Sequence, residues 1–159
     1  LVFSTVHANN ALDVIGRFMH MGLDLYNVVS ALNGVLAQRL LRLNCRACVQ
    51  PDPLGDAALA ALQSVLEQPG EGRHPALQPM RGRGCLLCRG TGYKGRMALA
   101  ELLPMSDELR DLIASRAPMS RIKEVARNRG MRPLRDLALL RACRGETTLE
   151  EVDRVTSAD

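Results

Sequence analysis

Cys45-Arg-Ala-Cys48-Val-Gln-Pro51 and Cys85-Leu-Leu-Cys88-Arg-Gly-Thr-Gly92-Tyr-Lys-Gly95 decide how this chain is read. Each C-x-x-C spacing lets two thiolates reach one ion from a single turn, and two such pairs complete a tetrahedral shell of four sulfurs. The reading is a structural zinc site held by Cys45, Cys48, Cys85 and Cys88; two disulfides or four unrelated thiols are the alternatives. Disulfides need an oxidising compartment, and the sequence shows no signal-peptide pattern. The glycines after the second pair suit a sharp knuckle. The segment between the pairs is longer than a usual zinc-ribbon spacer. Closure entropy grows by only about 0.6 kcal/mol per doubling of a loop, against on the order of 10 kcal/mol from structural zinc. Residues 49–84 therefore read as an insertion between two halves of one site. Four thiolates leave no open position for water or substrate.

Working outward, Leu1 to Val6 is a nearly continuous apolar and β-branched run, expected as a strand buried on both faces of a parallel α/β sheet. It opens without an initiator Met and reads as a strand already under way, as in a piece of a longer chain. His7-Ala-Asn-Asn10 then forms a polar loop at the strand's carboxyl end, where open α/β sheets bind ligands. Leu12, Ile15, Phe18 and Met19 predict a helix from Ala11 to about Met21, capped by Asn10 and closed by Gly22. Val28, Leu32, Val35, Leu36, Leu40 and Leu43 predict a second helix over about 26–43, with close packing at Gly34. Within the insertion, 52–68 reads as an amphipathic helix and 69–75 as a breaker-rich loop.

After the second knuckle, 96–103 is expected as a buried strand, because Gly95 and Pro104 leave too little room for a helix. Helices follow at 107–116 behind Ser106, at 121–129 behind Ser120, and at 131–144. Thr148-Leu-Glu-Glu151 is a capping box opening a terminal helix.

Composition narrows the function classes. The 159 residues carry a net charge of +4, two Tyr, two Phe and no Trp. Single-strand nucleic-acid binders rely on aromatic platforms, which are scarce here. No apolar run approaches the roughly 18 residues of a membrane span. The cations of the C-terminal helices read as a solvated face, with a docking surface for an acidic neighbour as the alternative. His20 and His74 read as surface residues, and Cys143 as a small buried hydrophobe.

Several short motifs together resemble one family. Leu1-Val-Phe-Ser-Thr-Val-His7-Ala-Asn-Asn-Ala11 resembles the histidine box of the type II secretion and type IV pilus assembly ATPases. Met21-Gly22 with Leu36-Ala-Gln-Arg-Leu40 resembles the family's next characteristic stretch. The cysteine pairs, Gly92-Tyr-Lys-Gly-Arg96, Glu101-Leu-Leu103 and Thr147-Thr-Leu-Glu-Glu-Val152 follow in the family's order, so the resemblance spans the whole chain.

It implies an α/β fold: the C-terminal portion of a RecA-like P-loop ATPase core over 1–44, a tetracysteine subdomain over 45–92, a return strand over 93–104 and a helical subdomain over 105–159. It implies a homo-hexameric motor on the cytoplasmic face of the inner membrane, working with an inner-membrane platform or the cytoplasmic domain of a membrane protein, and no nucleic acid. ATP and Mg2+ are implied cofactors of the full-length protein, with Zn2+ at the four cysteines. His7 takes the box histidine's place near the γ-phosphate, and Gln38 and Arg39 lie near the nucleotide. The sequence departs from the family pattern in having no G-x-x-x-x-G-K-[ST]. A fragment without that phosphate cradle is expected not to hydrolyse ATP alone.

Two other classes remain in view: a zinc-dependent nucleic-acid binder, and a chaperone-like module. For the latter, Cys85-Leu-Leu-Cys88-Arg-Gly90-Thr-Gly92 is similar to one repeat of DnaJ-type proteins.

Overall fold

The computed structural model describes residues 1–66 and 77–156. The breaker-rich loop expected over 69–75, with His74, lies outside the described residues. The chain is mixed α/β and divides into two units. One comprises Leu1–Gln38 with Ala100–Pro133; the other comprises Arg39–Leu99 with Leu134–Ala158. Residues 105–159, expected as one helical subdomain, are thus split at Pro133.

In the first unit, α1 (Ala11–His20) starts where predicted. Asn10 caps it, its side chain accepting from Asp13 N at 2.8 Å, and Gly22 follows its end at φ +70. The run 1–6 forms no strand among the described residues. Leu1, Val2 and Phe3 are 98, 88 and 88 % exposed, and an apolar β-branched segment becomes a strand only where a neighbouring edge takes up its N–H and C=O groups.

The helix expected over 26–43 is corrected more sharply. Asp24 caps a short α2 (Leu25–Ala31), and β1 (Gly34–Asn44) follows. Asn33-Gly34 is a turn signal that stops the helix. Beyond it the exposure of 34–40 alternates with period two, leaving Leu36 and Leu40 outside and turning Val35, Ala37 and Leu41 inward. Pairing with a distant strand overrides helix propensity here. That strand is β4 (Tyr93–Pro104), longer than the 96–103 read from the residues alone, and bonded to β1. Met105 N donates to Asn33 O, and Cys45 N to Gly92 O, so the two strands run antiparallel. The strands do come close at Gly34: a Cβ there would lie 3.3 Å from Leu103 O, tighter than ordinary van der Waals contact.

Helices α4 (Asp107–Ala114, capped by Ser106) and α5 (Met119–Asn128) complete the first unit. The α5 cap is Pro118 rather than Ser120, with no side-chain cap bond. Ile15, Val29, Leu103, Leu109, Ile113 and Ile122 form the centre of its apolar core.

In the second unit, β2 (Val49–Pro51) pairs antiparallel with β3 (Met80–Gly82), Val49 opposite Gly82. Helix α3 (Asp56–Leu66) packs on α6 (Leu134–Cys143), and α6 on α7 (Leu149–Thr156). Pro133 immediately precedes α6, which fits proline's place at a helix start. Cys143 is buried as expected, its thiol donating to Leu62 O.

Candidate metal centre

The four cysteines are brought together by the paired strands. Cys45 follows the last residue of β1, and Cys48 N returns to Cys45 O at 3.1 Å, closing the first turn. The second turn is a short 3-10 segment, Leu86–Cys88, in which Cys88 N and Gly90 N both donate to Cys85 O. Arg89 and Gly90 leave it in the left-handed region, at φ 54 and 78. The two knuckles are stitched by backbone: Cys45 N donates to Gly92 O at 2.8 Å, and Arg83 N to Cys48 O at 3.1 Å. Gly82 and Gly92 make this approach possible, since a Cβ on Gly82 would sit 2.1 Å from Gly92 O.

The sulfur geometry tests what the cluster can hold. Cys45 Sγ lies 3.9 Å from Cys85 Sγ, Cys48 Sγ 3.9 Å from Cys88 Sγ, and Cys85 Sγ 3.7 Å from Cys88 Sγ. All four sulfurs fall within 4.8 Å of one another. A tetrahedron with metal–sulfur bonds of about 2.3 Å places its sulfurs about 3.8 Å apart. The separations are far too long for disulfides, whose sulfurs are about 2.05 Å apart. The cluster therefore fits a four-thiolate metal ion.

Two of the buried thiols are pushed in opposite directions. Burial pushes the Cys48 thiol up to about 11. At Cys88 burial also opposes ionisation, but the N–H groups of Cys85 and Gly92, at 3.1 and 3.3 Å from its sulfur, outweigh it and bring the thiol to about 6. Four neighbouring thiolates repel one another, and a bound divalent cation is the charge that lets all of them ionise.

In the same unit Glu151, which the sequence reading placed only in a capping box, has a further part. Glu151 is fully buried and receives Arg42 N, Arg42 Nε at 2.8 Å and Arg154 Nε at 2.6 Å. The Arg42 guanidinium also lies 4.2 Å over the Tyr93 ring, and the Tyr93 hydroxyl shares a hydrogen bond with Thr148. Burial alone would raise the Glu151 carboxyl, but the two guanidiniums hold it down at about 2. The capping box is half present: Thr148 Oγ1 accepts from Glu151 N, while the Glu151 carboxylate goes to the arginines. Glu101, which the sequence reading quoted only within a motif, is 2 % exposed on β4, and its Oε1 accepts from Ala11 N at 2.6 Å. A single acid inside the apolar run 97–103 was the available signal.

The remaining expected site residues are placed as follows. His7 is exposed in an extended segment of the first unit, ahead of α1. In the first turn of that helix, two backbone donors are already taken, Ala11 N by Glu101 and Asp13 N by Asn10. Gln38 is exposed on β1 in the first unit, and Arg39, half-buried, begins the second. The four cysteines belong to the second unit. His20 is exposed, its Nδ1 2.7 Å from Gly16 O. No helix among the described residues is long and apolar enough to cross a membrane.

Residues 1–154 match the family described as type II/IV secretion system protein. The chain is 41 % identical over 155 residues to the type IV pilus assembly ATPase PilB of Thermus thermophilus, covering 96 % of this chain and 16 % of that protein. It is 41 % identical over 165 residues to the type II secretion system protein E of Xanthomonas campestris pv. campestris, covering 98 and 27 % of the two chains. Against the type II secretion system protein E of Pseudomonas aeruginosa it is 38 % identical over 158 residues, covering 98 and 30 %. The chain thus spans less than a third of the length of each of these relatives. None of the three is named as a nucleic-acid binder or a chaperone.

Proposed function

The chain belongs to the type II/IV secretion system protein family, and from that premise we propose that it is the C-terminal part of a hexameric ATP-driven motor that powers assembly of a pilus or secretion pseudopilus. The observation that carries this reading is the family match over 1–154, with ATPase-named relatives aligned along nearly all of the chain. In this role the first unit is the end of a RecA-like nucleotide-binding core, and ATP and Mg2+ are gripped by residues outside these 159. His7 donates to the γ-phosphate from the loop ahead of α1, where an exposed imidazole is free to turn toward a ligand. Gln38 and Arg39 stand near the nucleotide. The motor works at the cytoplasmic face of the inner membrane against a membrane-embedded partner.

Zn2+ is the metal that best suits four thiolates at these separations. Its part is structural, replacing the apolar core that the knuckles lack. Cys45 and Cys48 hold it from the end of β1, and Cys85 and Cys88 from the turn that leads into β4.

ATP turnover is the test. Residues 1–159 alone should show none, since the sequence lacks a phosphate-cradling loop. In the complete protein His7→Ala should lower turnover by about a hundredfold, within the range for loss of one positioned proton donor, at unchanged metal content. Turnover by the isolated chain would overturn the division of labour, and wild-type turnover in His7→Ala would remove His7 from the mechanism.

A further inference from the structure

The second knuckle carries a feature that metal binding does not explain. In a C-x-x-C turn both cysteines face the centre, so the two middle side chains face away from it. In the second pair these are Leu86 and Leu87, 97 and 62 % exposed. They cannot fold back, because Cys88 N, Arg89 N and Gly90 N all close hydrogen bonds within the turn. Beside Leu86 is a shallow depression lined with Arg83, Gly84, Arg89 and Gly90.

Along the two segments that carry the knuckles every charged residue is a cation. Residues 42–51 and 80–100 contain no Asp or Glu. Arg42 is committed to Glu151 and Arg81 to Asp52. Arg46, Arg83, Arg89, Lys94 and Arg96 are exposed and make no ion pair among the described residues.

We propose that this tip is a membrane-contact site, at which Leu86 and Leu87 enter the interface of an anionic lipid bilayer while Arg83 and Arg89 bind its headgroup phosphates. Two leucines are far short of the roughly 800 Å² per partner that a stable protein interface covers. Interfacial insertion needs no matching groove: it needs an apolar point, and cations that gain from the negative surface potential. Arginine suits that boundary, since its stem lies along apolar surface while its guanidinium stays with the phosphates. The inference rests on the knuckle being held as one body by its four sulfurs, and it is independent of how ATP is used.

Flotation of the metal-loaded chain with phosphatidylcholine vesicles containing phosphatidylglycerol, and with phosphatidylcholine alone, tests it. Binding is expected only with the anionic vesicles. It should weaken by about tenfold or more both in Leu86→Ser/Leu87→Ser and in Arg83→Gln/Arg89→Gln, which remove the apolar and the charged halves of the contact. The chain has no tryptophan, so Leu86→Trp supplies a reporter whose emission should shift to shorter wavelength on the anionic vesicles. A leucine variant that binds like the wild type, or unshifted emission from vesicle-bound protein, would reduce the contact to adsorption of charge and overturn the proposal. So would binding to a polyglutamate peptide without binding to vesicles. Metal content measured on the same samples keeps the two readings apart: a metal-free chain strikes the four-sulfur centre, and unshifted emission strikes the insertion.

Discussion

Around Ile113 and around Cys88 the chain is held by opposite kinds of chemistry. In the first unit Ile15, Leu103, Leu109, Ile113 and Ile122 are almost wholly removed from water and pack against one another from helices α1, α4 and α5 and strand β4. Around the knuckles the buried cluster consists of cysteines; glycines, arginines and a two-stranded ribbon surround it. An isolated two-stranded ribbon is marginal at best. Nearby, the end of β1 is fastened to α7 by a carboxylate between two arginines. An apolar core tolerates the loss of one member by partial collapse. A ligand cluster does not, because each sulfur removed leaves a coordination position unfilled.

Three measurements would break or sharpen that contrast. Chelation of the metal, or Cys88→Ser, should have the largest effect, since structural zinc contributes on the order of 10 kcal/mol to small sites. Hydrogen exchange should then accelerate across 45–51 and 80–95 while α4 and α5 keep their protection; equal loss in both units would erase the distinction. Ile113→Ala should act in the reverse sense, costing about 3 kcal/mol in denaturant unfolding and leaving metal content unchanged.

Glu151→Gln should cost less, about 2 kcal/mol, as expected for hydrogen bonds to a charged group. Its pH dependence has a definite sign. The carboxyl sits at about 2 in the folded chain against 4.5 when unperturbed. Its contribution is therefore complete above about pH 4.5 and lost as the pH falls toward 2. The stability gap between wild type and Glu151→Gln should be constant near neutrality and close through that window; a gap independent of pH would mean that the carboxylate's charge is not what fastens α7.

How much of this could be read from the residues depended on how local the cause was. Asn10 and Gly22 bracket α1 because caps act within a turn, and Ser106 begins α4 for the same reason. That the four cysteines come together was legible across a long gap because two C-x-x-C pairs have the spacing that suits one shared ion. The segment 34–44 was misread because Val35, Leu36, Leu40 and Leu43 satisfy a helical period as readily as an alternating one. Only pairing with β4, about sixty residues away in sequence, decides between them. The burial of Glu101 and Glu151 was not legible for a related reason: the partners that make them worth burying, Ala11 N and Arg42, are also distant in sequence. The family match goes further than any single motif, because it draws on the order of all of them.

The stitched knuckles at the end of β1 and β4 have one more consequence. Leu41, Leu99 and Leu103 are buried on one face while Leu36, Leu40 and Leu102 are exposed on the other, so a one-residue slip would already exchange the two faces. A slide by a single residue would carry Cys45 and Cys48 about 3.3 Å past their counterparts, beyond the reach of any shared ion. An ion shared by the four sulfurs would then act as a vernier for the neighbouring ends of β1 and β4, since its shell fills in one alignment only.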